Sequence, residues 1–129
     1  MLDLYLRKGA DHRLRGGHLW VYSNEIDTAR SPLHAFAAGD LVGVMNANGR
    51  LLGSAYMEPQ SLICARVYAP GEQRVMDAPF FSERLTAALA ARQAAFDKPF
   101  YRLVYGDSDT LPGLIIDRFG DILVMQLNN

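Results

Sequence analysis

Tyr105-Gly106-Asp107-Ser108-Asp109-Thr110-Leu111-Pro112-Gly113-Leu114-Ile115-Ile116-Asp117-Arg118-Phe119-Gly120-Asp121 runs through an acidic loop, a turn, a strand and a second turn without slack. Pro112 pre-sets φ at the first central position of a type II turn, and Gly113 supplies the positive φ of the second. Leu114, Ile115 and Ile116 then form a short strand. Gly120 stands where a hairpin loop needs a left-handed residue before Ile122, Leu123, Val124 and Met125 resume. Two paired strands are predicted. Asp107, Asp109, Asp117 and Asp121 also invite a metal or acid–base reading. Counted from Asp107, however, the fifth, sixth and twelfth places of a calcium loop hold Leu111, Pro112 and Arg118 instead of an oxygen ligand, Gly and Glu. Carboxylates that cap turns and face water are the favoured reading.

Immediately upstream, Phe100 to Tyr105 reads as a strand. Before it, Asp77 and Pro79 have helix-start chemistry. Phe81, Leu85, Ala88, Leu89, Ala95 and Phe96 recur at helical spacing. One amphipathic helix over about residues 79–97 is predicted, ending before Pro99 because the residue preceding proline avoids the α region. Its apolar stripe is expected to pack on the hairpin that follows.

The front of the chain has another character. Leu2, Leu4 and Leu6 alternate with Asp3 and Tyr5, the period of a half-buried strand. Leu19 to Tyr22, Leu41 to Met45, Arg50 to Tyr56 and Ser61 to Tyr68 are further strand-like runs. Asn46-Ala47-Asn48-Gly49 offers the positive φ that a tight reversal needs. Short strands at close spacing argue for a small barrel. The expected fold is therefore mostly β with one main helix (α+β). It comprises an N-terminal pseudo-barrel over residues 1–73 and the first part of a second α+β domain, a partial β-α-β-β unit, over residues 74–129.

The chain has 129 residues, of which 50% are hydrophobic, enough for a real core. Its formal net charge of -1 carries no global basic signature, so any nucleic-acid contact must come from a local patch. Cys64 is the single cysteine, which excludes an internal disulfide and a multi-cysteine zinc site and fits a reducing cytoplasm. His12, His18 and His34 lack zinc-site spacing, and no metal is expected. No apolar run is long enough to span a bilayer, so no membrane role is expected.

The local patch is Arg7-Lys8-Gly9-Ala10-Asp11-His12-Arg13-Leu14-Arg15-Gly16-Gly17-His18. Cationic groups pair with phosphate oxygens, and interleaved glycines let a polynucleotide backbone approach protein N–H groups. Lys8, Gly9, Arg13, Arg15, Gly17 and His18 are the candidate RNA-binding residues. A solvated loop with a short helical turn explains the same composition, and both readings are open. Trp20 and Tyr22, two apart on one strand face, suit base stacking or the core. The core is the favoured reading.

Lys8-Gly9, Arg13, Gly17-His18, Trp20-Val21-Tyr22-Ser23, Gly39-Asp40-Leu41-Val42, Gly53, Ser61 and Arg66 together resemble an N-terminal PUA domain, a compact RNA-binding pseudo-barrel. Gly106-Asp107-Ser108-Asp109 and Leu111 to Asp121 are similar to the central-domain fingerprint of PUA-containing class I S-adenosylmethionine-dependent methyltransferases. Where family members commonly carry proline, this chain has Leu19. The resemblance implies a partner in large-subunit (23S) ribosomal RNA, methylation of cytosine carbon 5, and S-adenosylmethionine as cofactor of the full-length enzyme. It also implies that the catalytic domain, with its cofactor loop and cysteine nucleophile, would begin after residue 129. No catalytic and no cofactor-binding residue is therefore expected in this chain, and Cys64 reads as a small apolar filler. Two further readings are a stand-alone RNA-binding module and a protein-interaction unit, in which the exposed face of the unfinished sheet would form a homodimer.

Overall fold

The structure, a computed structural model, describes residues 1–127. It is mostly strand with one long helix, and the chain divides into two compact units between Val75 and Met76.

The first unit contains β1 (Leu2–Tyr5), the single-turn helix α1 (His12–Arg15), β2 (Trp20–Tyr22), β3 (Leu41–Met45), β4 (Leu51–Met57) and β5 (Ile63–Pro70). These strands form one sheet in the order β1-β3-β4-β5-β2. β1 lies parallel to β3, and the other pairs are antiparallel. Period-two alternation puts every second side chain inside. Val21, Ala65 and Met57 form one fully buried cross-strand row, and Val42, Ala55 and Val67 form another. Leu4, Leu6, Ile26, Val44 and Cys64 complete this core.

β1 is hydrogen-bonded on both sides. One edge pairs with β3, and the other meets the segment after β2. There Tyr5 N–H donates to Ser31 Oγ at 3.0 Å, Asp27 N–H to Tyr5 C=O at 2.9 Å and Arg7 N–H to Glu25 C=O at 2.9 Å. Ser31 is buried for this reason, since its hydroxyl replaces a ladder partner. Ser54, buried as well, accepts from Arg74 N–H and donates to Glu72 C=O, both at 2.8 Å. The Tyr68 hydroxyl donates to Arg74 C=O, so the tail through Arg74 stays with the first unit.

In the second unit, α2 (Ala78–Ala95) precedes β6 (Phe100–Tyr105), β7 (Leu114–Phe119) and β8 (Ile122–Leu127). The three strands form an antiparallel sheet in that order, with β8 at its edge. The Asp77 carboxylate caps α2 by accepting Phe80 N–H at 3.0 Å. Of the stripe expected from spacing, Ala88 is buried and Leu85 and Leu89 are partly buried, whereas at the helix start Phe80 is buried in place of Phe81, and Ala95 and Phe96 at its end are exposed. So many positions are alanine that the two faces differ little, and the Arg84 guanidinium lies 5.0 Å from the Phe80 centroid.

Both turns of the central stretch form. Leu114 N–H donates to Leu111 C=O at 3.2 Å with Gly113 at φ +80. Phe119 pairs with Ile122 around Gly120 at φ +63, as a two-residue hairpin requires.

The closest backbone approach involves Gly53 on β4. At φ +154, a Cβ there would stand 2.8 Å from Ala69 C=O and 3.1 Å from Pro70 Cα. Gly53→Ala should destabilise the chain by at least about 1–3 kcal/mol. Urea unfolding checks this, and an unchanged midpoint would show that β4 and β5 can separate freely.

Candidate nucleic-acid interface

The cationic segment leaves β1 at Arg7 and returns to the sheet at Trp20. Ala10 N–H bonds to Arg7 C=O at 3.0 Å, closing a turn in which Gly9 takes φ +83. α1 lasts one turn, because Gly16 N–H already bonds back to Arg13 and His12 C=O at 3.1 Å. Gly17 then turns the chain at φ +102, and His18 N–H closes on Arg13 C=O at 3.0 Å. No atom lies within 4 Å of a Cβ built on Gly9 or Gly17, so both are needed for the sign of φ and leave their backbone open.

Lys8, Arg13, Arg15 and His18 are all exposed on this loop–helix rim. Arg13 Nη2 lies 3.3 Å from Glu25 Oε2, and Arg15 Nη1 lies 3.8 Å from Asp11 Oδ2. Both arginine side chains stay about half exposed. The carboxylates of Glu25 and Asp11 are mostly covered, at 16% and 15% side-chain exposure, while both guanidiniums stay accessible to a phosphate. Lys8 has no acidic partner within ion-pair distance among the described residues.

The structure overturns the expectation that Trp20 fills the core. A strand as short as Trp20–Tyr22 points one residue inward, and that residue is the fully buried Val21. Trp20 faces outward and is 39% exposed. Its cross-strand neighbour on β5 is Arg66, whose guanidinium carbon lies 5.2 Å from the indole centroid. Arg66 Nε is buried, with no acceptor among the described residues. On the same strand, the guanidinium of Arg13 lies 4.8 Å from the Tyr22 ring. Two aromatic–guanidinium pairs therefore sit beside the glycine-bounded rim. Each combines a π face with fixed positive charge, the two parts of a single-strand binding surface. The sequence pattern singled out the rim cations. Arg66 entered there only through the family likeness, because pairing across β2 and β5 is a tertiary fact.

The remaining chemistry-bearing residues are structural. The Cys64 thiol is fully buried, and burial pushes its pKa up to about 11. The acidic loop forms a 3₁₀ turn over Gly106–Asp109. Asp109 Oδ2 accepts Tyr105 N–H and Arg92 Nη2, each at 2.7 Å, so this carboxylate caps a turn as expected but is largely buried instead of facing water. Asp117 receives Arg102 Nε at 2.8 Å and Nη2 at 3.3 Å, and this hydrogen bonding holds its carboxyl below the usual range. Among the described residues, no group of three or more His, Cys, Asp or Glu side chains could hold a metal ion. Among the described residues, no helix is long and apolar enough to cross a membrane.

A PUA-like domain family matches residues 4–70, just over half of the chain, and the chain belongs to that family. Its homologues are ribosomal RNA large subunit methyltransferases. It is 37% identical to Ribosomal RNA large subunit methyltransferase I of Shewanella denitrificans, over 99% of this chain and 32% of that protein. The protein of the same name from Cronobacter sakazakii is 39% identical, over 96% of this chain and 31% of its own length. The chain thus spans about a third of the length of these relatives. A crystallised protein described as a methyltransferase in complex with SAH shares the fold over all of this chain and 33% of its own, with a TM-score of 0.80 at 20% identity.

Two outcomes follow from this geometry. Cys64 should resist thiol reagents at pH 8 in the native state and react quickly in urea. Because its folded pKa lies above the reference value of 9.0, its contribution to stability is complete below about pH 9 and fades as pH rises towards 11. Unfolding midpoints of wild type and Cys64→Ala across that range test the sign: the wild type should fall more steeply. The second outcome concerns Trp20→Ala, which should leave the unfolding free energy within about 1 kcal/mol of wild type yet weaken RNA binding by roughly five-fold or more. A large loss of stability would return Trp20 to the core.

Proposed function

We propose that this chain is the RNA-engaging N-terminal portion of an S-adenosylmethionine-dependent methyltransferase that modifies carbon 5 of a cytosine in 23S ribosomal RNA. The observation that carries the reading is the exposed rim Lys8, Gly9, Arg13, Arg15, Gly17 and His18 beside the Trp20–Arg66 and Tyr22–Arg13 pairs, on a PUA-like domain. Support for the enzyme class comes from relatives named for large-subunit ribosomal RNA methylation that align along nearly the whole chain. Lys8, Arg13 and Arg15 would neutralise phosphates, His18 would offer a hydrogen bond, and the outward rings would receive unstacked bases. Methyl transfer, the cofactor and the nucleophile belong to the rest of the full-length protein, and the work of these residues is to bind and orient RNA. Such an enzyme acts in the cytoplasm, where ribosomal RNA is made and modified.

Filter binding to fragments of large-subunit ribosomal RNA at two salt concentrations tests the reading. The Lys8→Ala/Arg13→Ala/Arg15→Ala variant should bind more weakly and flatten the dependence of log affinity on log salt by about two units. Unchanged affinity and slope would remove the rim from the interface.

A further inference from the structure

The C-terminal end of α2 and the adjoining strands form an open cleft of about 230 Å³. Its wall is an ordered stack. The Phe96 ring lies against Tyr101, with centroids 5.6 Å apart and planes 28° from parallel, and the Arg118 guanidinium lies 5.6 Å from the Tyr101 centroid. Arg118 is fixed from two directions, donating Nη1–H to the Tyr101 hydroxyl at 2.7 Å and Nε–H to Gly120 C=O at 2.9 Å. Phe96 keeps 50% of its surface exposed although one face is covered by Tyr101, so its other face is open. Gln93, Asp97 and Lys98 also line it, and with Arg118 the lining carries one net positive charge.

The geometry points to a second RNA contact, in which this cleft takes one unstacked nucleotide, its base on the open face of Phe96 and its phosphate near Lys98. Three features select that ligand. An exposed aromatic face backed by a second ring stacks any base. The cleft falls below the ~300–1,000 Å³ of pockets that enclose whole small molecules, and suits a single base presented by a longer strand. The preorganised guanidinium and nearby ammonium supply charge without the internal carboxylate pairing that occupies Arg92 and Arg102. The inference rests on the RNA-binding reading of the chain but concerns residues outside the rim.

A short unstructured RNA oligonucleotide labelled with fluorescein, titrated by anisotropy at two salt concentrations, separates the two. Phe96→Leu keeps an apolar contact for Tyr101 while removing the stacking face, and Lys98→Gln removes one charge. Phe96→Leu is expected to lower affinity about five-fold with the salt slope unchanged, and Lys98→Gln to reduce the slope by about 0.7. Wild-type affinity and slope in both variants, with binding still lost in the rim triple variant, would overturn the cleft and leave the rim standing. The reverse pattern would overturn the rim and keep the cleft. No binding by the wild-type chain would overturn both.

Discussion

Two-sided hydrogen bonding of β1 is the constraint on which the RNA-facing surface depends. Its inner edge pairs with β3, and its outer edge is taken by Ser31, Asp27 and Glu25 from the segment after β2. With both edges occupied, β1 is held as far as Arg7, and the chain then leaves the sheet in the turn that Ala10 N–H closes on Arg7 C=O. The residues that follow are the cations and glycines of the rim. The buried Ser31 hydroxyl, by holding β1, fixes the point from which the loop with the exposed Lys8 departs.

The electrostatics of the rim are local. With a net charge of -1, the whole chain does not attract polyanions, and two of the three rim cations are already paired with Asp11 and Glu25. In each pair the arginine is accessible and the carboxylate mostly covered, so the acids hold the guanidiniums in position at the surface. Binding that relies on such a patch should be salt-sensitive and orientation-specific, with the aromatic pairs adding a contribution that salt does not screen. In the second unit the pairing is firmer. Arg92–Asp109 and Arg102–Asp117 are short, and the Asp109 carboxylate also caps the Tyr105 N–H, so that acidic loop is a structural clamp for β6.

Much of the fold was legible locally. Pro112-Gly113, Gly120 and Asn46 to Gly49 specify their turns through φ alone, and each turn formed. Asp77 and Pro79 marked the start of α2 for equally local reasons. Failures came where neighbours decide. In an alanine-rich helix the hydrophobic contrast between faces is small, so Phe80 rather than Phe81 is buried at its start, although Ala88 of the expected stripe is buried as well. Trp20 read as core from its type, yet a strand of Trp20–Tyr22 has one inward position and Val21 occupies it.

The amino-acid sequence by itself determined the positions of the turns, the strand-rich front, the single long helix and the cationic, glycine-bounded rim, because backbone φ and charge are properties of single residues and their immediate neighbours. Tertiary structure alone decided that Trp20 stands across from Arg66, that Glu25 and Asp11 steady the rim arginines, and that Phe96, Tyr101 and Arg118 stack into one cleft wall. Trp20–Arg66, Arg13–Glu25 and Tyr101–Arg118 join segments that the sequence keeps apart, while Asp11–Arg15 and Phe96–Tyr101 are near neighbours whose contact depends on where the backbone turns. Their register follows from which rows of side chains fill the core together, and no local stretch carries that information.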